Sequence, residues 1–592
     1  MRSSAKILLA IIMLIPLVAI LSWPAGTFSP SDLAKDETAG ALTISDIRVS
    51  DITEHSATIS WRTNLPADSQ VVWRKDIAEE HASPHLRGLA ADHVAALDGL
   101  RPGARYDFYV ISQTADGRIA SKQGPGLKTL GMSPFDNLCD QAVGKHLKRL
   151  PTMGTGIAWA DFDNDGDLDV FIGCDRMFGV KLFQRQKRVF EDATALDPSR
   201  FGGNARSAAW ADFDGDGDLD LLIGRRSQVA LYANQGPPAW RFLDVSAILP
   251  PQQFYDVEGA GWIDYNNDGA IDIIATNGKY GILVFENQIE KQKRFSDAGK
   301  QAGFEPGGLG SGFGDYITIG DYDRDGRTDV LYNLLTGMLF RNEGALFARA
   351  AQSGVTYFCS STRKLGAAFG DYDNDGDIDI FIPQRGQSRI FQNQGNGTFK
   401  DVINESGDLA KNLNASVGAW GDIDNDGDLD LYVGNEGASN VLYINLGNGK
   451  FENRTEQYGM AADEHGRARG MCFVDYDDDG DLDVYVHNYT APDFFFENGL
   501  IAEANHNYLK VKFSPSPCPV GALISLYDES GKKLLAVREI SGGEGWGSQP
   551  PPEAHFGVKP GAYRIQVRFT NGTTKDIEAA VTPTGGNVIQ IK

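Results

Sequence analysis

The nonapeptide Asp161-Phe-Asp-Asn-Asp-Gly-Asp-Leu-Asp169 is written seven times along the chain, with further copies starting at Asp212, Asp264, Asp321, Asp371, Asp422 and Asp475. Successive starts lie 51, 52, 57, 50, 51 and 53 residues apart. A period of that length restricts the chain to a repeat architecture, in which each unit completes its core only against its neighbours.

Each copy reads D-x-[DN]-x-D-G-x-x-D, with side-chain oxygens at positions one, three, five and nine. A hard cation such as calcium takes six to eight oxygens at about 2.3–2.6 Å, and this spacing can wrap a loop around one. The glycine at position six permits the sharp turn that a Cβ would obstruct. Position seven is Asp in five copies but Ala270 and Arg327 in two, so it offers its carbonyl rather than its side chain. An EF-hand would need a carboxylate at position twelve, which here holds Ile172, Ile223, Ala275, Tyr332, Ile382, Val433 and Val486. That motif and its helix pair are excluded. A single loop could be an ordinary acidic turn. Four oxygen-bearing residues crowded together seven times repel strongly unless a counter-ion sits among them.

The net charge of −25 follows largely from these loops, since seven calcium ions would bring it to −11. No basic patch stands out, which argues against nucleic acid as a partner. A hydrophobic content of 42% with 31 Phe suffices for packed cores across several domains. Residues 1–26 carry Arg2 and Lys6 and then an apolar run from Ile7 to Leu21, the pattern of an export signal. Ser22-Trp-Pro-Ala-Gly26 offers no good small-x-small cleavage site. Uncleaved, residues 7–26 would be just long enough for a single membrane anchor. The expected location is therefore exported: periplasmic, secreted or on the cell surface. Five cysteines lie far apart without a C-x-x-C pair, which favours scattered buried thiols.

After a polar linker at 27–41, residues 42–130 alternate in short strands: Ile47–Val49, Ala57–Trp61, Val71–Trp73, Val94–Leu97 and Tyr106–Ile111. Such spacing predicts a β-sandwich. With Trp61 in a Ser-x-Thr-x-Ser-Trp strand and Leu100-Arg-Pro-Gly-Ala-Arg-Tyr106, the segment resembles a fibronectin type III domain. The resemblance implies a core tryptophan and a tyrosine corner, both structural.

Residues 131–499 hold the seven units. In the second, Ser207–Ala211 leads into the loop, and Asp218–Ile223, Gln228–Tyr232 and Phe242–Val245 follow. Four short strands about every 50 residues predict propeller blades, hence an all-β, seven-bladed β-propeller flanked by two smaller β domains. Residues 134–139, which mimic the fourth-strand segments Phe190-Glu-Asp-Ala-Thr194 and Phe399-Lys-Asp-Val402, are expected to complete blade seven and close the ring.

The units resemble the FG-GAP/VCBS repeats of integrin-α-like propellers. That resemblance implies up to seven calcium ions with these ligands. Blade one would use Asp161, Asp163, Asp165 and Asp169; blade two, Asp212, Asp214, Asp216 and Asp220; blade three, Asp264, Asn266, Asp268 and Asp272. Blade four would use Asp321, Asp323, Asp325 and Asp329; blade five, Asp371, Asp373, Asp375 and Asp379. Asp422, Asp424, Asp426 and Asp430 serve blade six, and Asp475, Asp477, Asp479 and Asp483 blade seven.

Beyond Gly499 the loop pattern stops. In residues 505–592, Ser541-Gly-Gly-Glu-Gly-Trp-Gly-Ser-Gln549 followed by His555-Phe-Gly557 resembles the ASPIC/UnbV domain that accompanies such repeats in cartilage acidic protein-like proteins. The glycine-rich stretch reads as a structural turn, with a binding loop as the alternative.

No catalytic residue is assigned. The nine histidines form no H-E-x-x-H, and no G-x-S-x-G marks a nucleophile. The functional expectation is a calcium-stabilised binding, adhesion or scaffold module for an extracellular protein or glycan. A calcium-dependent polysaccharide lyase or glycoside hydrolase is the alternative. Phe254-Tyr255, Tyr357-Phe358 and Tyr458, in loops between blades, are the candidate ligand contacts.

Overall fold

The loop aspartates sit at the turn of a hairpin, and that hairpin is the inner half of every blade. In the computed structural model, which describes residues 41–591 apart from internal segments (the longest 138–152, 305–315 and 358–365), the chain is almost entirely β. The export segment, Cys139, Cys359, Phe254-Tyr255 and Phe358 lie outside the described residues. Among the described residues no helix is long and apolar enough to cross a membrane.

Two compact units divide the chain, Met1–Pro134 and Phe135–Lys592. The first is built on one long strand, Ser56–Arg74, whose first half pairs with Ile44–Ser50 and Leu86–Asp98 and whose second half pairs with Arg105–Gln113. The sequence predicts two separate strands there, Ala57–Trp61 and Val71–Trp73. The backbone instead continues through with a register shift between Arg62 and Ala67, which accommodates a proline that cannot donate to the ladder. Trp61 is buried in this unit's core, stacked on His93 and donating its indole N–H to Ser112 Oγ at 3.0 Å.

In the second unit, seven four-stranded antiparallel sheets follow one another along the chain. Blade two shows the plan: Ala205–Ala211, Asp220–Arg225, Gln228–Asn234 and Phe242–Asp244. Its two inner strands are buried at every residue, whereas the last strand buries only Phe242. Inner strands are covered on both faces by neighbouring blades, so they read as unbroken small and apolar runs rather than alternating ones.

Each pair of adjacent blades shares one hydrophobic cluster. Phe162, Trp210 and Phe242 lie between blades one and two; Phe213, Trp262 and Phe295 lie between two and three. The seventh cluster joins the ends of the ring, packing Trp159 and Phe190 of blade one against Tyr476, Tyr485 and Phe495 of blade seven. The N-terminal strand Phe135–Asn137 pairs antiparallel with Phe494–Asn498 as the fourth strand of blade seven, with Asn137 opposite Phe496. The expected closure is present, and neither end of the ring leaves an open edge.

The carboxyl-terminal segment forms two further sheets. One places Asn507–Phe513 between Glu553–Val558 and the parallel strand Asn587–Ile591. The other orders Leu534–Glu539, Leu523–Asp528, Gly561–Arg568 and Thr574–Val581. The glycine-rich stretch between them is a strap through the propeller axis. The Gly542 carbonyl accepts from Trp262 N (3.0 Å) in blade three and the Gly547 carbonyl from Ala208 N (3.2 Å) in blade two. Gly545 N donates to Ala367 O (3.2 Å), Gln549 N to Ile157 O (2.8 Å), and the Trp546 indole to Ser416 O (2.9 Å). Trp546 also packs on Tyr316 and under the Arg469 guanidinium, so the strap reaches all seven inner strands or their loops. Backbone approaches backbone: a Cβ on Gly156 would lie 1.8 Å from the Gly547 carbonyl oxygen. The stretch runs as a strap whose partners are the seven blades.

Candidate metal centres

Every loop begins where its inner strand ends and reaches position nine at the first residue of the next strand, as at Ala160 and Asp169. Two residues per loop need the left-handed region. Position six is always glycine, with φ between 87° and 102°. Position four is Asn164, Gly215, Asn267, Arg324, Asn374, Asn425 or Asp478, also at positive φ. Asparagine tolerates that region best among residues with a Cβ. Its side chain then works between blades: Asn164, Asn374 and Asn425 donate to Asp218, Asp428 and Asp481, position seven of the following loop, at 3.1, 2.6 and 2.8 Å. At these three joints the position-seven side chain serves the contact between blades.

The position-one carboxylate is held by its own loop. In blade one, Asp161 accepts from Asp165 N (3.0 Å) and Gly166 N (2.9 Å). Position five accepts from the amide of position seven, as Asp165 does from Asp167 at 2.9 Å. Position nine is buried in every blade and accepts one backbone N–H on each oxygen. In blade two these come from Phe213 and from Asn234 of the third strand, at 3.1 and 2.8 Å. The same pair recurs at Asp169, Asp272, Asp329, Asp379, Asp430 and Asp483. Position nine therefore ties its loop and the third strand to the second strand.

Carboxylate oxygens converge to within 4.8 Å of one another in Asp161/Asp163/Asp169, Asp212/Asp214/Asp220, Asp321/Asp323/Asp325, Asp371/Asp373/Asp379 and Asp422/Asp424/Asp430. Several of the oxygens turned inward have no hydrogen-bond partner: Oδ1 of Asp163, Asp422 and Asp475, and both oxygens of Asp371. Burial raises these carboxyls, and carboxylates in the same loop add to the rise. Asp161, Asp212 and Asp321 are pushed to about 6, Asp371 to about 7 and Asp422 to about 8. Buried, mutually repelling, acceptor-only oxygens without donors fit a hard divalent cation and little else.

The loops are not equivalent. In blade three Asn266 carries no charge, and its Oδ1 accepts from Asp268 N at 3.1 Å. In blade four, guanidinium groups meet three of the four carboxylates: Arg341 and Arg327 reach Asp325, Arg341 also reaches Asp323, and Arg568 reaches Asp321 at 2.8 Å. In blade seven the buried Lys510 ammonium pairs with Asp475 and, at 3.2 Å, with Asp478.

A further repeated residue has no counterpart among the sequence candidates. The asparagine closing each third strand from blade two onward (Asn234, Asn287, Asn342, Asn393, Asn445, Asn498) donates to the position-two carbonyl of the preceding loop at 2.7–2.9 Å. Its signal was an aromatic residue two places before it, six times over, as in Tyr232-Ala-Asn234. Blade one has Arg185 instead, which crosses the closing joint to pair with Asp167 (2.9 Å) and Asp478 (3.5 Å). Among the aromatic candidates, Tyr357 is a correction. It is buried, its hydroxyl donates to Asn333 Oδ1 at 2.6 Å, and its ring occupies the space over Gly337. Tyr458 packs against the core between blades six and seven.

A ring of four-stranded sheets with an aspartate loop on each inner hairpin defines the class: a repeat propeller with cation-type loops. The FG-GAP-like repeat family matches in five overlapping windows, 161–223, 212–275, 264–332, 371–433 and 422–486. These windows carry FG-GAP-like repeats. The chain is similar to cartilage acidic protein 1 of Homo sapiens, with 25% identity over 465 residues, covering 71% of this chain and 69% of the relative. The Mus musculus protein of that name is 24% identical over 469 residues (71% of each chain), and that of Xenopus tropicalis 24% over 492 residues (74% of each).

Proposed function

We propose that the protein is an exported binding or scaffold module whose propeller is braced by calcium, and that it displays a docking surface to an extracellular protein or glycan. The observation that carries the calcium reading is the set of buried carboxylate oxygens, repeated in consecutive loops, that converge without donors. Positions one, three, five and nine of each loop would hold the ion, which would supply charge neutralisation rather than chemistry. Extracellular modules bind calcium at about 10⁻⁴–10⁻³ M. At ten to a hundred times that level, each site would stabilise the fold by about 1.4–2.7 kcal/mol.

The chain fills its own axial opening with the strap, which supports docking on the rim away from it. A groove of about 570 Å³ beside blades five and six, lined by Asn412, Asn435, Ser439, Tyr443 and the Asp408–Lys411 ion pair, offers amides, hydroxyls and paired charges to a hydroxyl-rich ligand. Similarity to cartilage acidic protein 1 supports an extracellular setting, and the export signal read at 1–26 agrees with it. The test is a glycan and extracellular-protein array probed with the calcium-loaded chain, alongside incubation with a polysaccharide panel. Saturable capture without new reducing ends or unsaturated products is expected. Calcium-dependent product formation would contradict the reading and favour a lyase or hydrolase.

A further inference from the structure

The carboxyl-terminal domain touches the loops at one repeated chemical point. In blade three, Thr570 Oγ1 donates to Asp264 Oδ2 at 2.7 Å. In blade four, Arg568 donates to Asp321 Oδ2 at 2.8 Å, and in blade six Gly557 N donates to Asp422 Oδ2 at 2.7 Å. In blade seven, Lys510 pairs with Asp475 Oδ2. All four partners are position-one carboxylates, and in each the domain takes the oxygen that already accepts the loop glycine's N–H. At Asp264 and Asp321 the other oxygen accepts the position-five amide of its own loop. At Asp422 and Asp475 that second oxygen has no partner at all. Two further bonds fix the seating: Asn267 Nδ2 donates to Thr570 O at 2.6 Å, and His555 Nε2 lies 2.7 Å from Asn425 Oδ1. Among the described residues, Asp161 and Asp212 of the first two blades are hydrogen-bonded by their own loops alone.

We propose that the carboxyl-terminal domain is the shared outer shell of the cation sites in blades three and six, where Thr570 and Gly557 donate to position one as neutral groups, so that calcium loading and the seating of the domain are one reciprocal equilibrium. The inference rests on the calcium reading above. Groups that hydrogen-bond a ligand's outer oxygen orient the inner one and tune affinity, typically by ten- to a hundredfold. Whatever the domain contributes to the ion's affinity, the ion must return to the domain's seating. The strap is the reporter, because its Gly545 and Gln549 amides donate to the carbonyls of Ala367 and Ile157 rather than to any loop aspartate.

The test uses the full chain. Thr570→Val keeps the side chain's shape and removes its donor; in calorimetric titration with calcium it should weaken one site by about tenfold. Amide hydrogen exchange of Gly545 and Gln549 is then followed in calcium for Asp264→Asn and Asp212→Asn. Each variant should lose one site, but only Asp264→Asn should speed exchange in the strap, by several-fold. A Thr570→Val isotherm identical to wild type, with equal strap protection in the two aspartate variants, would overturn the proposal. A wild-type chain that takes up no calcium would instead contradict the calcium reading itself, and this proposal with it.

Discussion

Asn445 Nδ2 of blade six donates to the carbonyl oxygen of Tyr372 in blade five at 2.7 Å, and to Leu429 O of its own loop at 3.1 Å. One buried amide thus bonds the turn of its own loop to the turn of the preceding blade, and the pattern recurs from blade two to blade seven. Asn445→Ala leaves two buried carbonyls without a donor. Such a loss costs about 1–3 kcal/mol. Urea unfolding in saturating calcium should show a lower midpoint; an unchanged midpoint would mean that water replaces the amide without cost.

Within one loop, side chains should separate by role. Asp371 faces the cluster with both oxygens unpartnered, whereas Asp377 meets only the Arg324 guanidinium at 3.9 Å. Asp371→Ala and Asp375→Ala should each remove one calcium from the stoichiometry and lower the thermal midpoint. Asp377→Ala should keep the stoichiometry and shift the midpoint little. Equal effects would contradict the ligand assignment.

Blade four should hold its ion most weakly. Arg327, Arg341 and Arg568 offset three of its four negative charges, and ligand charge sets affinity at such sites. Arg341→Met should tighten one calcium site measurably in a titration. A wild-type isotherm would place the guanidinium outside the electrostatics of that site.

The loops also fix a pH dependence. Burial raises the carboxyls at positions one and nine above the ordinary 3.8, to about 6 at Asp161 and about 9 at Asp379, so the metal-free native chain binds more protons than the unfolded chain from the ordinary carboxylate range up to those values. Its stability therefore falls as pH rises through that window. Calcium needs the ionised form and displaces those protons, so its stabilising effect grows over the same range. Melting curves from about pH 5 to about pH 8, with and without chelator, should diverge as pH rises. Parallel curves would contradict the coupling.

Ring closure depends on three residues. Deleting Phe135–Asn137 removes the fourth strand of blade seven and exposes the edge of Phe494–Asn498. A lower thermal midpoint is expected, and an unchanged one would show that the edge strand adds nothing.

Much of this was legible in the residues. The loop period gave the number of blades, and the resemblance of 134–139 to a fourth strand located the closure, because both are local patterns repeated often enough to stand out. The bracing role of position nine was not legible. Its donors, such as Asn234 N for Asp220, come from a strand whose register the sequence does not specify. The strap was least legible. Gln549 accepts from Trp210 N across 339 residues, and nothing near either residue announces the other. Glycines that look like turn residues are there because backbone passes backbone, as at Gly156 and Gly547.

The most direct test is thermal melting of the purified full chain in millimolar calcium and after chelation, with bound metal counted by elemental analysis. Several calcium ions per chain and a melting midpoint many degrees lower after chelation are predicted. A chain that carries no calcium and melts identically in both conditions would contradict the idea that the ring is held by ions in its aspartate loops.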